Sequence, residues 1–171
     1  MLAQQAEQWQ QIGREDYSLL RETMRGIIAE EAYYTLPATA SDDDCMDYWF
    51  GGRDCEVWTL RENDVFCGSY YLRKNHYELG EHIANAGYMV APGMHGKGIG
   101  KRLALQSVVR AKERGFHGIQ FNFVVSTNAP AVHAWQQLGW QIIGTVPGGF
   151  HLKHEQYVDA YIMFKDLRDN A

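Results

Sequence analysis

The stretch that most constrains the fold runs from an apolar strand through a glycine-rich turn into a helix, over residues 88–101 (YMVAPGMHGKGIGK). Its three alternating glycines have no Cβ, so backbone amides there can approach a ligand closely. The following helix presents its unpaired first-turn amides and the positive end of its dipole to the same point. The stretch therefore predicts a phosphate or pyrophosphate site rather than a plain surface turn. Three cations flank the site: Lys97, Lys101 and Arg102.

The spacing of these glycines excludes two common nucleotide motifs. A Walker A loop requires G-x-x-x-x-G-K-[ST], but Ala91 stands five positions before Gly96, and Gly98 occupies the Ser or Thr position. The dinucleotide fingerprint G-x-G-x-x-G is also absent, because the spacing here is G-x-G-x-G. The phosphate compound is therefore expected to be bound by a motif other than these two.

Composition limits the class of protein. A chain of 171 residues with 46% hydrophobic and 22% charged residues predicts a single globular domain spanning residues 1–171. The net charge of −5 argues against nucleic acid as a partner. Cys45, Cys55 and Cys67 are odd in number and form no C-x-x-C pair, which predicts reduced thiols and a cytoplasmic location. No apolar run is long enough to span a membrane, and residues 1–11 lack the core of a signal peptide.

Hydrophobic periodicity and turn residues predict eleven elements in the order β-α-α-β-β-β-α-β-α-β-β. The strands are expected at Gln8–Gly13, Glu56–Arg61, Val65–Arg73, His82–Val90, Ile119–Val125, Trp140–Val146 and Tyr157–Lys165, with a Gly-Gly loop joining the last two. The helices are expected from Asp16 or Ser18 to about Glu31, from Ser41 to Phe50, from Gly98 to Arg114, and from an Asn128 N-cap to Gly139. This order predicts an α/β three-layer domain with a mixed sheet.

Three local features attract attention within this scheme. Gly87 is unfavourable inside a strand, so it suggests a bulge or the close approach of another group. Asn122 lies on the strand face opposite the apolar residues Ile119, Phe121, Phe123 and Val125. The aromatic loop at residues 32–37, which contains Tyr33 and Tyr34, either packs or forms the wall of a substrate site.

Two blocks of sequence resemble the GNAT superfamily of acyl-CoA-dependent N-acetyltransferases. Members typically read V-x-P, then [QR]-x-x-G-x-[GA], and later N-x-x-A-x-x-x-Y-x-x-x-G-F. Here His95-Gly96-Lys97-Gly98-Ile99-Gly100 forms the first block, with His95 replacing Gln or Arg. The second block keeps Asn128, Ala131 and Gly139, with Trp140 in place of Phe.

The resemblance implies a GNAT-like three-layer domain whose central sheet, mixed and mostly antiparallel, has six to seven strands flanked by helices. Acetyl-CoA would be the co-substrate, and no metal would be needed. Its pyrophosphate would lie on the loop amides from His95 to Lys101, and its pantetheine arm would pair with Met89 and Val90 where two central strands separate. Asn128 would contact the arm further along. The residues implied in cofactor binding are Met89, Val90, His95, Gly96, Lys97, Gly98, Ile99, Gly100, Lys101, Asn128 and Trp135.

The same resemblance leaves the proton transfers open. Trp135 occupies the position at which many relatives carry a Tyr that protonates the leaving thiolate, and an indole N–H is far too weak an acid for that task. Some relatives carry a Glu that acts as the general base at the position where this chain has Ala84. The candidates for the base are then Glu81, His82 or water in a relay. Gly87 would be the strand bulge of the family.

Asparagines are the remaining candidates for the chemistry. Residues 83–90 and 121–128 are similar to the fungal branch that acetylates proline analogues such as azetidine-2-carboxylate. That similarity implies Asn85, Asn122 and Asn128 as catalytic residues that orient substrate and thioester. Tyr33, Tyr34, Asn85 and Asn122 are the expected substrate-binding residues. Buried amides satisfied by neighbouring backbone are the alternative.

The predicted function is transfer of an acetyl group from acetyl-CoA to the amine of a small molecule, an amino acid or a proline analogue among the candidates. A polyamine or protein N-terminal acetyltransferase and a non-catalytic acyl-CoA sensor remain alternatives, and a homodimer stays open. His151 and His154 form an H-x-x-H pair without further ligands on regular elements, so no metal site is predicted. Asp159 could hold a substrate ammonium or pair with a lysine.

Overall fold

The computed structural model describes residues 7–153 and 156–168. Within them the chain forms α1 (Arg21–Glu30), α2 (Asp42–Phe50), α3 (Ile99–Glu113) and α4 (Ala129–Gln137). The strands are β1 (Glu7–Ile12), β2 (Glu56–Glu62), β3 (Val65–Lys74), β4 (Ile83–Val90), β5 (Gly118–Val125), β6 (Gln141–Leu152) and β7 (Gln156–Asp166). Short 3-10 turns cover Arg14–Leu19 and Glu78–Gly80. The predicted order of strands and α-helices is confirmed.

All seven strands belong to one sheet in the order β1-β2-β3-β4-β5-β7-β6. Every neighbouring pair is antiparallel except β4 and β5, which are parallel and joined by the α3 crossover. Helices α1 and α2 cover one face around Met24 and Trp49, while α3 covers the other through Leu103 and Ala104. The predicted three-layer domain with a mixed, mostly antiparallel sheet is therefore confirmed. No helix in the described part of the chain is long and apolar enough to cross a membrane.

Capping chemistry explains where the first two helices begin. Ser41 caps α2, since its Oγ accepts from the Asp44 amide at 3.1 Å while the Asp44 carboxylate accepts from the Ser41 amide at 2.8 Å. The expected cap of α1 by Asp16 or Ser18 is wrong. Asp16 instead accepts from the Gly13 amide at 3.1 Å within the preceding 3-10 turn, and α1 starts only at Arg21.

Gly87 does not form the expected bulge, because the register of β4 with β3 continues through it without a shift. Its neighbour across the ladder is Tyr71. A Cβ on Gly87 would lie 2.5 Å from a ring carbon of Tyr71, so the close approach of that ring is what requires glycine.

Two further predictions, the alternation of faces in β5 and the Gly-Gly loop, are wrong because a bulge lies at each place. Phe121 and Val124 pair with Met163 and Tyr161 of β7, so β5 carries one residue more than its partner. Val124 therefore joins Phe121 in the α3-side core, whereas the predicted alternation gave that face to Phe123. The predicted Gly-Gly loop is also wrong, since residues 148–149 lie within β6 at a shift of register against β7.

The strands β4 and β5 separate after only three paired positions. The pairing ends at Asn85 and Gln120, where the Asn85 side-chain nitrogen donates to the Gln120 carbonyl at 2.9 Å. At the two ends of the β3–β4 ladder, the Asn75 amide donates to the Ile83 carbonyl and the Ala91 amide donates to the Cys67 carbonyl. These two bonds determine which β4 residues form backbone hydrogen bonds with β3. By the alternation of an antiparallel ladder, the backbone groups of Tyr88 and Val90 point the other way, into the gap.

The Tyr88 hydroxyl is tied to α3 by a buried hydroxyl pair. It lies 2.8 Å from the Oγ of Ser107, which is fully buried and donates to the Ala104 carbonyl at 2.8 Å. Replacing Ser107 by Ala leaves the Tyr88 hydroxyl without this partner, so we expect a loss of about 1–3 kcal/mol in unfolding free energy. Urea unfolding measures it. The double variant Ser107→Ala/Tyr88→Phe should recover part of the loss, and a purely additive double variant would contradict this account.

Candidate functional site

A cavity of about 640 Å³ opens where β4 and β5 separate. It extends from the start of α3 past α4 to the loop between α1 and α2. Ten of the residues predicted from the sequence line it: Tyr33, Tyr34, Asn85, Val90, His95, Gly100, Lys101, Asn122, Asn128 and Trp135. The structure thus brings these ten predicted residues to one continuous cavity.

Five predicted cofactor residues do not line the cavity. Met89 is 1% exposed, packs in the α1–α2 core and faces β3 with its backbone, so it cannot pair with a ligand in the gap. Ile99 is also 1% exposed and supports the loop from the core beneath. Gly96, Lys97 and Gly98 are exposed beside the cavity mouth. The expectation for Met89 is corrected to Tyr88, whose backbone does face the gap.

The N-terminus of α3 has the features of an anion site. Gly98, its N-cap residue, has φ of 75°, and no side chain caps the first turn. That turn also contains no acidic residue, so the positive end of the helix dipole is left uncompensated. Gly96 has φ of 77°, and a Cβ on either glycine would enter open space. These amides suit a phosphate group, as the sequence predicts.

Arg102 does not contribute its charge to this site. Its guanidinium pairs with Glu62 at 2.5 Å and with Glu7. The expected set of three cations is therefore reduced to Lys97 and Lys101, of which only Lys101 lines the cavity.

Tyr34 reaches from the α1–α2 loop to the separated strand. Its hydroxyl donates to the Tyr88 carbonyl at 2.6 Å. Burial raises the pKa of Tyr34 well above its usual value, so the phenol stays protonated and remains a donor. The aromatic loop is thereby fixed against β4 as one wall of the cavity.

The three candidate asparagines differ in how far their amides are engaged. Asn85 is 6% exposed and uses its nitrogen on Gln120, whereas its oxygen has no partner among residues 7–153 and 156–168. Asn122 donates to Asn75 at 2.7 Å and accepts from Gln120 at 3.0 Å. Asn128 occupies the N-cap position of α4 but makes no capping hydrogen bond, contrary to expectation. The side chains of Asn85 and Asn128 are therefore the more available to a ligand.

Trp135 forms part of an aromatic wall rather than a proton donor site. Its ring lies 4.9 Å from Tyr88 and 5.4 Å from Phe121, between ring centroids. Tyr88 offers no acid in its place, because burial raises its pKa and its hydroxyl is held by Ser107. This wall suits the apolar part of a ligand.

Neither protein group suggested as a base reaches the cavity. Glu81 pairs with Lys74 at 2.7 Å, and the His82 ring lies 5.3 Å from that of His117. Among the described residues no Asp or Glu lines the cavity. Asp159 also lies elsewhere, where its carboxylate accepts from the Gly148 amide at 2.9 Å.

The predicted H-x-x-H pair is only partly described. His151 stacks on Tyr157 with 4.6 Å between ring centroids, while His154 lies outside the described residues. In the described ranges no cluster of three or more His, Cys, Asp or Glu side chains could hold a metal ion.

Sequence reasoning missed the far end of the cavity. Tyr48, Tyr71 and Arg73 line it beside Asn85. Tyr71 and Arg73 lie directly across the ladder from Gly87 and Asn85. The one available signal was an arginine at the end of an otherwise apolar strand, and that pattern is also typical of a strand that ends at the surface.

A sheet opened between two parallel strands, next to an uncapped helix N-terminus, defines an α/β domain built to hold an extended phosphate-bearing ligand. The chain belongs to the acetyltransferase (GNAT) family, whose model matches residues 20–140.

Curated relatives match parts of the chain. The N-acetyltransferase aca1 of Schizosaccharomyces pombe is 38% identical over 106 residues, which are 60% of this chain and 51% of that protein. The streptothricin acetyltransferase of Streptomyces lavendulae is 42% identical over 55 residues, or 32% of this chain and 29% of its own. The chain thus spans about half or less of the length of these relatives.

Solved structures match nearly the whole chain. A GCN5-related N-acetyltransferase from Kribbella flavida is 31% identical with a TM-score of 0.86, over 94% of this chain and 98% of that one. The acetyltransferase yncA from Salmonella typhimurium, solved with its cofactor acetyl-CoA, has a TM-score of 0.82 at 19% identity, over 97% and 96% of the two chains. The similarity to yncA is a similarity of fold alone.

Proposed function

We propose that this protein transfers an acetyl group from acetyl-CoA to the amine of a small molecule, an amino acid or proline analogue, within a ternary complex. The observation that carries the proposal is one continuous cavity, which joins the anion site of α3 to Asn85 through the gap between β4 and β5. Acetyl-CoA is a long molecule with phosphate groups, so its binding needs both an anion site and an extended cleft. The acceptor amine must meet its thioester at the other end of that cleft.

The residues present fit acetyl-CoA. The amides from His95 to Lys101, with the charge of Lys101, would hold the pyrophosphate at the helix N-terminus. The backbone groups of Val90 would pair with the pantetheine arm, since β5 does not pair with β4 beyond Asn85. Asn128 would bind the arm from the side of α4, and Trp135 would cover its apolar portion.

Acetyl-CoA supplies an activated thioester. The neutral acceptor amine would attack its carbonyl carbon, the C–N bond would form as the C–S bond breaks, and CoA would leave as a thiolate that takes a proton from water. The Tyr88 amide points into the gap and would polarise a carbonyl lying there, as preorganised donors do in acyl transfer. The Asn85 oxygen would accept a hydrogen bond from the attacking amine and orient it. Since neither Glu81 nor His82 lines the cavity, the proton of the amine would leave through the water relay.

Thiol release from acetyl-CoA tests the proposal. Purified protein should release free CoA thiol with at least one amine from a panel of proline analogues, amino acids, spermidine and short peptides. Turnover only with spermidine or with peptides would instead support the polyamine or N-terminal alternative. Binding of acetyl-CoA without thiol release across the panel would support the sensor and reject the enzyme.

Asn122 is expected to act on the acceptor rather than on the donor. Replacing Asn122 by Ala should lower kcat by about tenfold or more, through lost orientation of the amine, while the affinity for acetyl-CoA changes little. Steady-state kinetics and calorimetric titration measure the two effects. Asn75→Ala is the matched control, because it removes only the partner of Asn122 and should have a smaller effect. Unchanged turnover in Asn122→Ala would exclude a role for this residue.

A further inference from the structure

We infer that Arg73 binds a carboxylate of the acceptor, so that the acceptor is an amine carrying a carboxylate on a neighbouring carbon. Arg73 would be the residue that selects amino acids over simple amines. The inference rests on the proposed function, because it concerns the acceptor end of the same cavity.

The register of the sheet places Arg73 beside the residue proposed to orient the amine. Arg73 of β3 is the direct partner of Asn85 of β4, so both side chains project from the same face of the sheet. Both line the cavity. Directly paired strand residues have Cα atoms about 5 Å apart. The two side chains therefore start from adjacent points on the cavity wall.

The guanidinium of Arg73 is held in place but only partly used. Its Nη1 donates to the carbonyls of Tyr48 at 3.2 Å and Gly51 at 2.9 Å. Its Cζ lies 4.3 Å from the centre of the Tyr71 ring, so the plane is fixed by stacking. Both of these hydrogen bonds come from Nη1, and the guanidinium also interacts with the Tyr71 hydroxyl. A planar guanidinium fixed in this way can bind a carboxylate in bidentate fashion through its other donors.

Arg73 also lacks a counter-ion, unlike its basic neighbours. Lys74 pairs with Asp54 at 3.2 Å and with Glu81, and Arg114 pairs with Glu56 at 3.5 Å. No described Asp or Glu lies within ion-pair distance of Arg73. A half-buried cation without a carboxylate partner is costly unless a ligand supplies one.

The electrostatics of the cavity agree with an anionic acceptor. No described acidic side chain lines it, and the other cation with a constant charge, Lys101, lies at the α3 end. Burial raises the pKa of Tyr48 and of Tyr71, and in both the positive charge of Arg73 opposes the rise. Among the described residues that line the cavity, Arg73 is the permanent cation at the Asn85 end. A polycationic acceptor would meet repulsion there.

The competing explanation is that Arg73 only satisfies the carbonyl groups at the C-terminal end of α2. A structural role of that kind would affect all acceptors equally, whereas a carboxylate site affects only acids. The decisive quantity is therefore the ratio of kcat/KM for an acid to that for its carboxamide. Comparing this ratio between variants cancels the intrinsic difference in amine reactivity.

The experiment uses L-azetidine-2-carboxylate, L-proline and L-leucine, each beside its carboxamide, with thiol release as the readout. Binding to the CoA-saturated protein is measured by calorimetry in parallel. The variants are Arg73→Met and Arg73→Lys, with Arg53→Met as the control. Arg53 is an exposed cation stacked on Tyr77 outside the cavity, so its loss removes the same charge without touching the site. Acetyl-CoA affinity and the thermal midpoint report on folding.

In the wild type we expect at least one acid to bind the CoA-saturated protein more tightly than its carboxamide. Arg73→Met should lower the acid-to-amide ratio by about 10- to 100-fold, as expected for loss of a charge-assisted bidentate pair, and Arg73→Lys by less. Arg53→Met should leave the ratio unchanged. Equal losses for acids and amides in Arg73→Met, or no preference of the wild type for any acid, would overturn the inference.

These outcomes separate the inference from the proposed function. Acids that bind through Arg73 without thiol release would support the carboxylate site and reject acetyl transfer to them. Thiol release with amides and acids alike, unaffected by Arg73→Met, would support acetyl transfer and reject the carboxylate site.

Discussion

Replacing Gly98 by Ala is expected to lower the affinity for acetyl-CoA by about 100-fold, on the order of 3 kcal/mol. Gly98 is the N-cap residue of α3 and has φ of 75°, a conformation that costs an L-residue about 1–2 kcal/mol. Its Cβ would enter open space in the protein, the space that the phosphate groups would occupy. Alanine there would both strain the loop and keep a phosphate from the amides.

Gly115→Ala is the matched control for this variant. Gly115 follows the other end of α3, has φ of 78° and also offers open space to a Cβ. Both substitutions should lower the unfolding free energy by a similar 1–2 kcal/mol or so, because the backbone strain is the same. Only Gly98→Ala should weaken acetyl-CoA binding in a calorimetric titration. Equal affinities in the two variants would show that the α3 N-terminus is not the anion site.

The sequence predicted the order of the elements because that order depends on local patterns. Alternation marks the strands, glycine and proline mark the turns, and Ser41-x-x-Asp44 marks the start of α2. The anion site is local too, since strand, glycine turn and helix follow one another within residues 88–101. Local information therefore pointed to the end of the cavity that is proposed to bind acetyl-CoA.

The features that were mispredicted depend on pairing between distant segments. The Gly148-Gly149 pair is a typical turn signal, but β7 continues opposite it and draws it into β6 as a bulge. The extra residue in β5 changes which face Phe123 occupies, and alternation within one strand cannot reveal it. Arg102 was expected to contribute its charge to the anion site. Its partners Glu7 and Glu62 are 95 and 40 positions away in the sequence, so local patterns could not reveal these ion pairs.

Part of the acceptor end, namely Tyr48, Tyr71 and Arg73, escaped prediction for the same reason. Arg73 belongs to the site only through the β3–β4 register, and a shift of one residue would turn it to the opposite face. Tyr34 was predicted as a substrate contact, whereas its bond to the Tyr88 carbonyl depends on how the α1–α2 loop folds over β4. The acceptor site is assembled from five segments, the α1–α2 loop, α2, β3, β4 and β5, so its chemistry is visible only in three dimensions.

Replacing Gly87 by Ala is expected to disrupt that acceptor site through a clash with Tyr71. The added Cβ would lie 2.5 and 2.8 Å from two ring carbons of Tyr71 and 2.9 Å from its hydroxyl oxygen. The ring cannot move freely, since the fully buried Trp49 packs against it at 5.0 Å and Arg73 stacks on it at 4.3 Å. Overpacking of this kind costs about 1–3 kcal/mol of unfolding free energy.

Function should suffer more than stability in Gly87→Ala. A displaced Tyr71 ring would take the Arg73 guanidinium with it and move it away from Asn85. We therefore expect kcat/KM for the best acid acceptor to fall by about 100-fold, since misplacement of a positioning group by about 1 Å costs that much. Affinity for acetyl-CoA should change little, because the anion site lies at the other end of the cavity.

Gly144→Ala provides the control within the same sheet. Gly144 lies in β6, and a Cβ there would meet Ile162 at 3.5 Å, an ordinary contact. That variant should be neutral or more stable by about 0.5–1 kcal/mol, since alanine is favoured over glycine in a strand interior. Stability of both variants is measured by urea unfolding, and activity by thiol release.

A second substitution tests whether the Tyr71 ring is the cause. In the Gly87→Ala background, Tyr71→Leu removes the atoms that the methyl group meets, so the double variant should be more stable than the sum of the two single effects by about 1 kcal/mol or more. Its activity should stay low, because Arg73 loses the ring on which it stacks. Additive stabilities would show that Gly87 is required for a reason other than the approach of Tyr71.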